Sequence, residues 1–276
     1  MIVPTPEQQA VLDRWGIEID GPVDDHPFAW WALRHGRHVV VKAGDASARA
    51  REAAALRALG SGATAVVAFD ASLGLLATER ILPGDDIRPL ARVDDDAATR
   101  HVAQLAVLLR QDQGAGDLPP LSEIGAAFAG ARDARLPDRL RDRAEGVFRE
   151  LIATSGDDVV LHGDLHHMNV LNAGDGWRAI DPHGWVGEPA FEAAALLANP
   201  RGLVEEGDAR FMDGRDLAQR SRRRASIYAE VAGLDVERVR AWGFVGCVIA
   251  ELWMLESHDL VHGAPLAVAE VMMETL

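Results

Sequence analysis

The chain has 276 residues, 48% hydrophobic and 26% charged, and a formal charge of -15 at pH 7. This balance excludes intrinsic disorder and suits a globular chain with one large domain or two lobes. The acidic excess argues against nucleic acid as a partner and favours cationic ligands. No apolar run approaches the roughly 18 residues that span a bilayer. The start Met1-Ile-Val-Pro-Thr-Pro-Glu7 lacks the basic and apolar segments of a signal peptide. A cytoplasmic protein with no membrane partner is therefore expected.

In chain order, short β-rich runs come first, at Phe28 to Leu33, Val39 to Lys42, Ala65 to Phe69 and Leu73 to Thr78. A helix of Ala, Arg and Leu, Ser47 to Leu59, is inserted after the second and stopped by Gly60. Pro83-Gly84 breaks the pattern, giving a boundary between 1–83 and 84–276. Helices are predicted over Asp94 to Asp112 and Pro137 to Thr154, the first with an acidic start that suits the helix dipole. Three short strands follow, Val159 to Leu161, Val170 to Asn172 and Arg178 to Ile180. Helices resume at Pro189 to Ala198, 208–232, Val236 to Ser257 and Pro265 to Thr275. The only cysteine, Cys247, lies in an apolar stretch and reads as a buried inert thiol.

The most informative stretch is His162-Gly-Asp-Leu-His-His-Met-Asn-Val-Leu171, followed by Ile180-Asp181-Pro182. A carboxylate, Asp164, is followed five residues on by the amide of Asn169 and twelve later by Asp181. This is the spacing of a phosphoryl-transfer loop, with Gly163 where kinases carry Arg. In that arrangement the first Asp receives the proton of the attacking hydroxyl, and the Asn and second Asp hold the magnesium ions on the nucleotide phosphates. A second signal is independent. Lys42 is the single lysine among 28 basic residues, ending an apolar strand where a compact ammonium suits phosphates better than a guanidinium. Glu52, ten residues on, can pair with it.

These residues, with Ala179-Ile-Asp-Pro-His-Gly-Trp-Val-Gly-Glu-Pro-Ala-Phe-Glu-Ala-Ala195, Asn199-Pro200 and Glu79-Arg-Ile-Leu-Pro-Gly84, resemble the aminoglycoside phosphotransferase superfamily. The nearest branch is that of streptomycin 6-phosphotransferase and hydroxyurea phosphotransferase. The resemblance implies an α+β, protein-kinase-like fold with a small β-rich nucleotide-binding lobe, 1–83, and a larger helical catalytic and acceptor-binding lobe, 84–276. It implies ATP, Mg2+ and transfer to a small-molecule hydroxyl. Asp164 would be the base, Asn169 and Asp181 the metal ligands, and Lys42 with Glu52 the phosphate-positioning pair. The backbone of Glu79 and Ile81 would meet adenine. Two positions depart from the branch pattern: His183 stands where Lys is expected, and Glu188 where Asp is expected. The phosphate-covering loop would lie in Gly21 to Trp30, which has one Gly and the adjacent acids Asp24 and Asp25, groups that would repel phosphates if they faced them.

Glu188 and Glu192, one helical turn apart, and Glu251 and Glu256 are the candidates for holding a cationic acceptor, since carboxylates take guanidinium bidentately. His162 reads as a brace of the loop, and His166 and His167 as loop packing and loop surface. Trp242 and Trp253 recur at helical spacing as core, and Arg220 to Arg224 as a solvated helix face. Two further classes stay open. One is a catalytically idle nucleotide-binding protein, and the other a metal-dependent phosphoesterase, which would leave Lys42 and Glu52 unexplained and for which no Gly-Asn-His segment exists. Within the kinase class, hydroxyurea or a simple sugar is the alternative acceptor.

Overall fold

Side-chain alternation builds the first layer. In the computed structural model, which describes residues 3–274 except 25, 112, 114–116, 131 and 199–213, and only the backbone of 214–218, five antiparallel strands form one sheet in the order β1-β2-β3-β5-β4. They are β1 (Ile17–Val23), β2 (His26–Arg34), β3 (Arg37–Ala43), β4 (Val66–Asp70) and β5 (Leu75–Glu79). Pairing places Trp30, Val41 and Ala77 on one rung, and Trp31, Val40 and Thr78 on the next. Because neighbours along a strand point to opposite faces, the first set packs with Val11 and Leu12 of helix α1 (Pro6–Trp15). The other face carries Trp31, Val40, Lys42 and Thr78 toward a cleft.

Helix α2 (Ala46–Ala58) starts where the Asp45 carboxylate accepts the Ala48 N–H at 2.9 Å, a standard N-cap. Its run of alanines lets it lie close beneath the sheet, with Ala53 and Ala55 fully buried and Glu52 carried inward among them.

After β5 the chain becomes mainly helical: α3 (Arg88–Val93), α4 (Asp95–Leu109), α5 (Asp138–Ala153), α6 (Ala193–Ala198), α7 (Gly214–Ala232), α8 (Val236–His258) and α9 (Ala264–Met273). A 3-10 segment covers Leu121–Ala129. Helix α8 is buried on nearly every side and packs against α5, α6, α7 and α9. Gly246 permits the approach to α6, for a Cβ there would stand 2.5 Å from the Ala194 Cβ. Cys247 is fully buried in this helix, and burial pushes its thiol far up.

Two small ribbons complete the chain: β6 (Val159–Leu161) with β9 (Trp185–Gly187), and β7 (Val170–Asn172) with β8 (Trp177–Ala179). The connection to the sheet is laced by backbone bonds, Thr64 N–H to Ala179 O at 2.9 Å and Ile87 N–H to Val170 O at 3.1 Å. No helix among the described residues is long and apolar enough to cross a membrane.

The α+β, two-lobed expectation is met. Periodicity did not reveal α1, β1, α3, the 3-10 segment or β9, and 189–192 is 3-10 rather than α. The arginine run 220–224 is a correction. Arg224 is 1% exposed, its guanidinium held by Asp95 and the Leu196 carbonyl, and Arg223 binds Asp96, so this face clamps α7 to the start of α4. Asp25, Asp112, Asn199, Pro200, 208–213 and Thr275, which carried some of the expectations, lie outside the described residues.

Candidate active site

The two ribbons set the chemistry. The loop from β6 to β7 holds Asp164 and Asn169, the loop from β8 to β9 holds Asp181 and His183, and both emerge at one end. Main-chain bonds stitch the loops together: Ile180 N–H to Asn169 O at 3.0 Å and His183 N–H to His162 O at 2.8 Å. Gly163 has φ +80°, and a Cβ there would come 2.6 Å from the Trp185 ring. Only glycine fits that conformation and contact readily, which explains the missing Arg at this position.

Asp164 accepts a hydrogen bond at Oδ2 from Asn169 Nδ2 at 3.1 Å, and the same amide reaches the Asp164 carbonyl at 2.9 Å. The imidazoles of His166 and His183 lie 3.5 and 3.9 Å from Oδ2. Burial works to raise the Asp164 pKa, but the His166 hydrogen bond and the surrounding imidazoles outweigh it and hold the group below its ordinary value. It is thus a carboxylate able to accept a proton. His162 is fully buried, takes the Asp164 N–H on Nδ1 at 3.2 Å and so donates from Nε2 to the Ile180 carbonyl at 2.8 Å. Desolvation pushes it down to about 4, so it stays neutral and braces the loop.

Lys42 reaches Glu52 at 2.9 Å and also binds Asp181 directly, although 139 residues separate the latter pair. Burial opposes the ammonium, yet the two carboxylates prevail and raise its pKa. The same partnership holds Asp181 below its usual range against its own desolvation. Asp181 stands at φ +59°, a conformation that non-glycine residues keep only where their surroundings enforce it. Asn169 spends its amide nitrogen on Asp164 and leaves Oδ1, while Asp181 offers carboxylate oxygens. Two hard oxygen donors suit Mg2+, which commonly takes one or two protein ligands and completes its shell with phosphate and water.

Above these groups is a cleft of about 570 Å³ lined by Lys42, Arg49, Trp31, Ile81, Asp181 and neighbouring residues. Arg49, missed in the sequence, binds Glu52 one turn on along α2; its i,i+3 spacing was the available signal. The main chain of Glu79 is engaged, its N–H with Ala65 O and its carbonyl with the Thr64 hydroxyl at 2.8 Å. Ile81 is in the cleft wall. The 21–30 segment is a strand hairpin rather than a glycine loop; Val23, His26 and Phe28 line the cleft, whereas Asp24 is exposed and does not.

On the other side of Asp164 lies a smaller cavity of about 260 Å³, walled by His166, His183, Phe191, Ile249, Trp253 and Met254 among others. Three of the four acids expected here are elsewhere. Glu188 is buried between Arg238, which holds both carboxylate oxygens, and the Trp242 Nε1 at 2.8 Å. Glu192 is buried beneath the catalytic loop and accepts the N–H groups of His162 and Gly163 at 2.7 and 2.8 Å. Desolvation raises it to about 7 despite those bonds. Glu251 is fully buried and accepts the N–H groups of His262 and Gly263 at 2.9 Å, before α9. Each is a structural acid because an ionisable group in a dry interior needs donors that the fold supplies. Glu256 alone is exposed, in a groove with Glu123, Trp185, Trp253 and His183. Trp253, expected in the core, lines the cavity edge-on to His183 at 6.4 Å, while Trp242 is core as expected.

The family model described as aminoglycoside/hydroxyurea antibiotic resistance kinase matches residues 29–257. A streptomycin 3''-kinase of Klebsiella pneumoniae is 34% identical over 71% of this chain and 71% of its own length. A hydroxyurea phosphotransferase of Kitasatospora aureofaciens is 33% identical over 95% and 76%. A streptomycin 6-kinase of Streptomyces glaucescens is 32% identical over 90% and 82%. In fold, the chain is similar to an aminoglycoside phosphotransferase solved with ADP and hygromycin B, with a TM-score of 0.67, 15% identity and 98% of each chain covered. A choline kinase of Streptococcus pneumoniae gives a TM-score of 0.66 at 14% identity, covering 97% and 96%. The sequence matches span the sheet, the catalytic loop and the helices behind it, and the chain belongs to the aminoglycoside/hydroxyurea antibiotic resistance kinase family.

Proposed function

We propose that the protein transfers the γ-phosphoryl group of ATP, with Mg2+, to a hydroxyl of a small cationic acceptor of the streptomycin kind. The observation that carries this is the meeting of Lys42, Glu52 and Asp181 in the cleft beside the Asp164–Asn169 loop. A phosphoesterase would leave the lysine pair without a task. Lys42, fixed by Glu52, faces the phosphates, and Arg49 adds a second positive group. Asn169 and Asp181 would hold the metal, which when bound neutralises charge on the phosphates. Asp164, in the wall of the acceptor cavity, takes the proton as the acceptor oxygen bonds to the γ-phosphorus and the bond from that phosphorus to the β,γ-bridging oxygen breaks, releasing ADP. Asn169 keeps that carboxylate oriented. His183 and Trp253 border the acceptor. Glu256 and Glu123 stand where a guanidinium or ammonium would reach.

A second reading, transfer to a compact hydroxyl compound such as hydroxyurea, draws support from the small volume and apolar walls of the cavity beside Asp164. Consumption of ATP measured against streptomycin, other aminoglycosides, hydroxyurea and simple sugars separates the two. Turnover with streptomycin supports the first, turnover with hydroxyurea alone supports the second, and turnover with none in the presence of Mg2+ rejects both.

A further inference from the structure

Arg49 stands where helix stability does not favour a cation. It is the fourth residue of α2, near the positive end of the helix dipole, and beyond the capping Asp45 the first turn carries no acid. Its ion pair with Glu52 runs in the less favourable direction, with the cation N-terminal to the carboxylate. That one carboxylate serves both cations at this end of the cleft: Oε1 takes the Lys42 ammonium at 2.9 Å, and Oε2 takes Arg49 Nη1. The guanidinium lies against the end of β3, for a Cβ on Gly44 would be 3.4 Å from its Nε. Among the described residues Nη2 has no hydrogen-bond partner, and Nε is buried without one. Arg49 nevertheless lines the nucleotide cleft.

The balance of charge here gives this placement a use. Lys42 and Arg49 are matched by Glu52 and Asp181, two cations against two carboxylates. Asp181 is also an oxygen donor suited to Mg2+, and a carboxylate committed to a metal no longer neutralises Lys42. Glu52 then balances one cation, and the other is left for phosphate oxygens. Lys42 and Glu52 by themselves would offer a polyphosphate no net charge, so Arg49 supplies it. The other charged residues of the wall, Glu79, Arg80 and Asp85, belong to the end of β5 and the segment that follows it. The Arg49 charge already reaches Asp181 and helps to hold that carboxyl below its usual range. A guanidinium with unbonded N–H groups suits phosphate oxygens, to which it can donate more than one bond.

We propose that Arg49 is a phosphate-binding residue of the transfer reaction, donating directly to oxygens of the β- and γ-phosphates rather than serving only to support Glu52. These phosphates are singled out because Arg49 neighbours the carboxylate suited to the metal, and metal ions in such sites bridge β- and γ-oxygens. The inference rests on the nucleotide half of the function proposed above and is independent of the acceptor.

Isothermal titration calorimetry with ATP in the presence of Mg2+ tests the contact without reference to turnover. The wild type, Arg49→Ala, Glu52→Gln and the double variant form a cycle, and AMP is titrated in parallel. Melting temperatures are compared, and Arg49→Gln takes the place of Arg49→Ala if the latter is unfolded. ATP affinity should fall about tenfold or more on loss of Arg49, the scale of a lost charge-assisted contact, and by a similar factor in the Glu52→Gln background. ATP affinity unchanged by Arg49→Ala overturns the contact. So does an effect that vanishes once Glu52 is replaced, which would make Arg49 a support of that carboxylate, or a loss of equal size for AMP. A wild-type protein that binds no ATP with Mg2+ overturns the nucleotide reading itself, whereas ATP binding indifferent to Arg49 overturns this inference alone.

Discussion

The two sides of Asp164 use their acidic residues in opposite ways. In the nucleotide cleft Asp181 and Glu52 converge on Lys42, so the charges sit where a ligand would meet them. On the acceptor side Glu188, Glu192 and Glu251 turn inward onto Trp242, the catalytic loop and the residues before α9, and the cavity walls are largely apolar. The contrast teaches that spacing within a loop motif predicts which charged groups meet in the cleft, whereas nearness to that motif along the chain does not predict which acids line the cavity. A carboxylate near a buried strand is as readily recruited to satisfy orphan backbone N–H groups or a buried guanidinium.

The largest effect on stability expected from this contrast is at Glu188. Glu188→Ala leaves the buried Trp242 indole N–H without its acceptor and takes one partner from the partly exposed Arg238 guanidinium, a loss of about 1 to 3 kcal/mol. Chemical denaturation should show it. A variant of normal stability that had lost only acceptor affinity would restore Glu188 to the acceptor site.

Asp164→Ala should lower turnover by about a hundredfold or more and leave ATP binding intact, because the group meets the acceptor hydroxyl and not the nucleotide. Near-normal kcat in that variant would remove Asp164 from the chemistry. Asp181→Asn should raise the Mg2+ concentration for half-maximal rate by roughly tenfold to a hundredfold, the scale of one lost charged contact. An unchanged metal requirement would leave Asp181 as a partner of Lys42 only.

Glu192 gives a pH test. Its folded pKa of about 7 lies above the ordinary 4.5, so its favourable contribution to stability is complete below about 4.5 and is lost as pH rises through about 7. The ionised form, however, is the one that accepts both loop N–H groups. Turnover should therefore fall by up to about tenfold from pH 8 to pH 6 while this contribution to stability increases, and Glu192→Gln should flatten both trends. A flat rate profile in the wild type would separate loop bracing from catalysis.

The smallest effect belongs to Glu256, which is exposed: Glu256→Gln should weaken a guanidinium-bearing acceptor by no more than about fivefold, since exposed pairs contribute up to about 1 kcal/mol. An unaltered acceptor KM would leave the groove without a role for this acid.

The sequence by itself determined the lobed α+β plan, most strand and helix positions, and the partnership of Lys42 with Glu52, because alternation, helix propensity and ten residues of spacing are local. It also indicated that His162 is a brace, since a histidine beside a buried strand has few other uses. Tertiary structure alone decided the rest. The contact of Lys42 with Asp181 spans 139 residues, α1 packs Val11 and Leu12 on Val41 and Ala77 of the sheet, and β9 pairs with β6 across the intervening loops. Whether a glutamate serves a ligand or the fold depends on which donors packing brings within about 3 Å of it, a quantity that no spacing along the chain encodes.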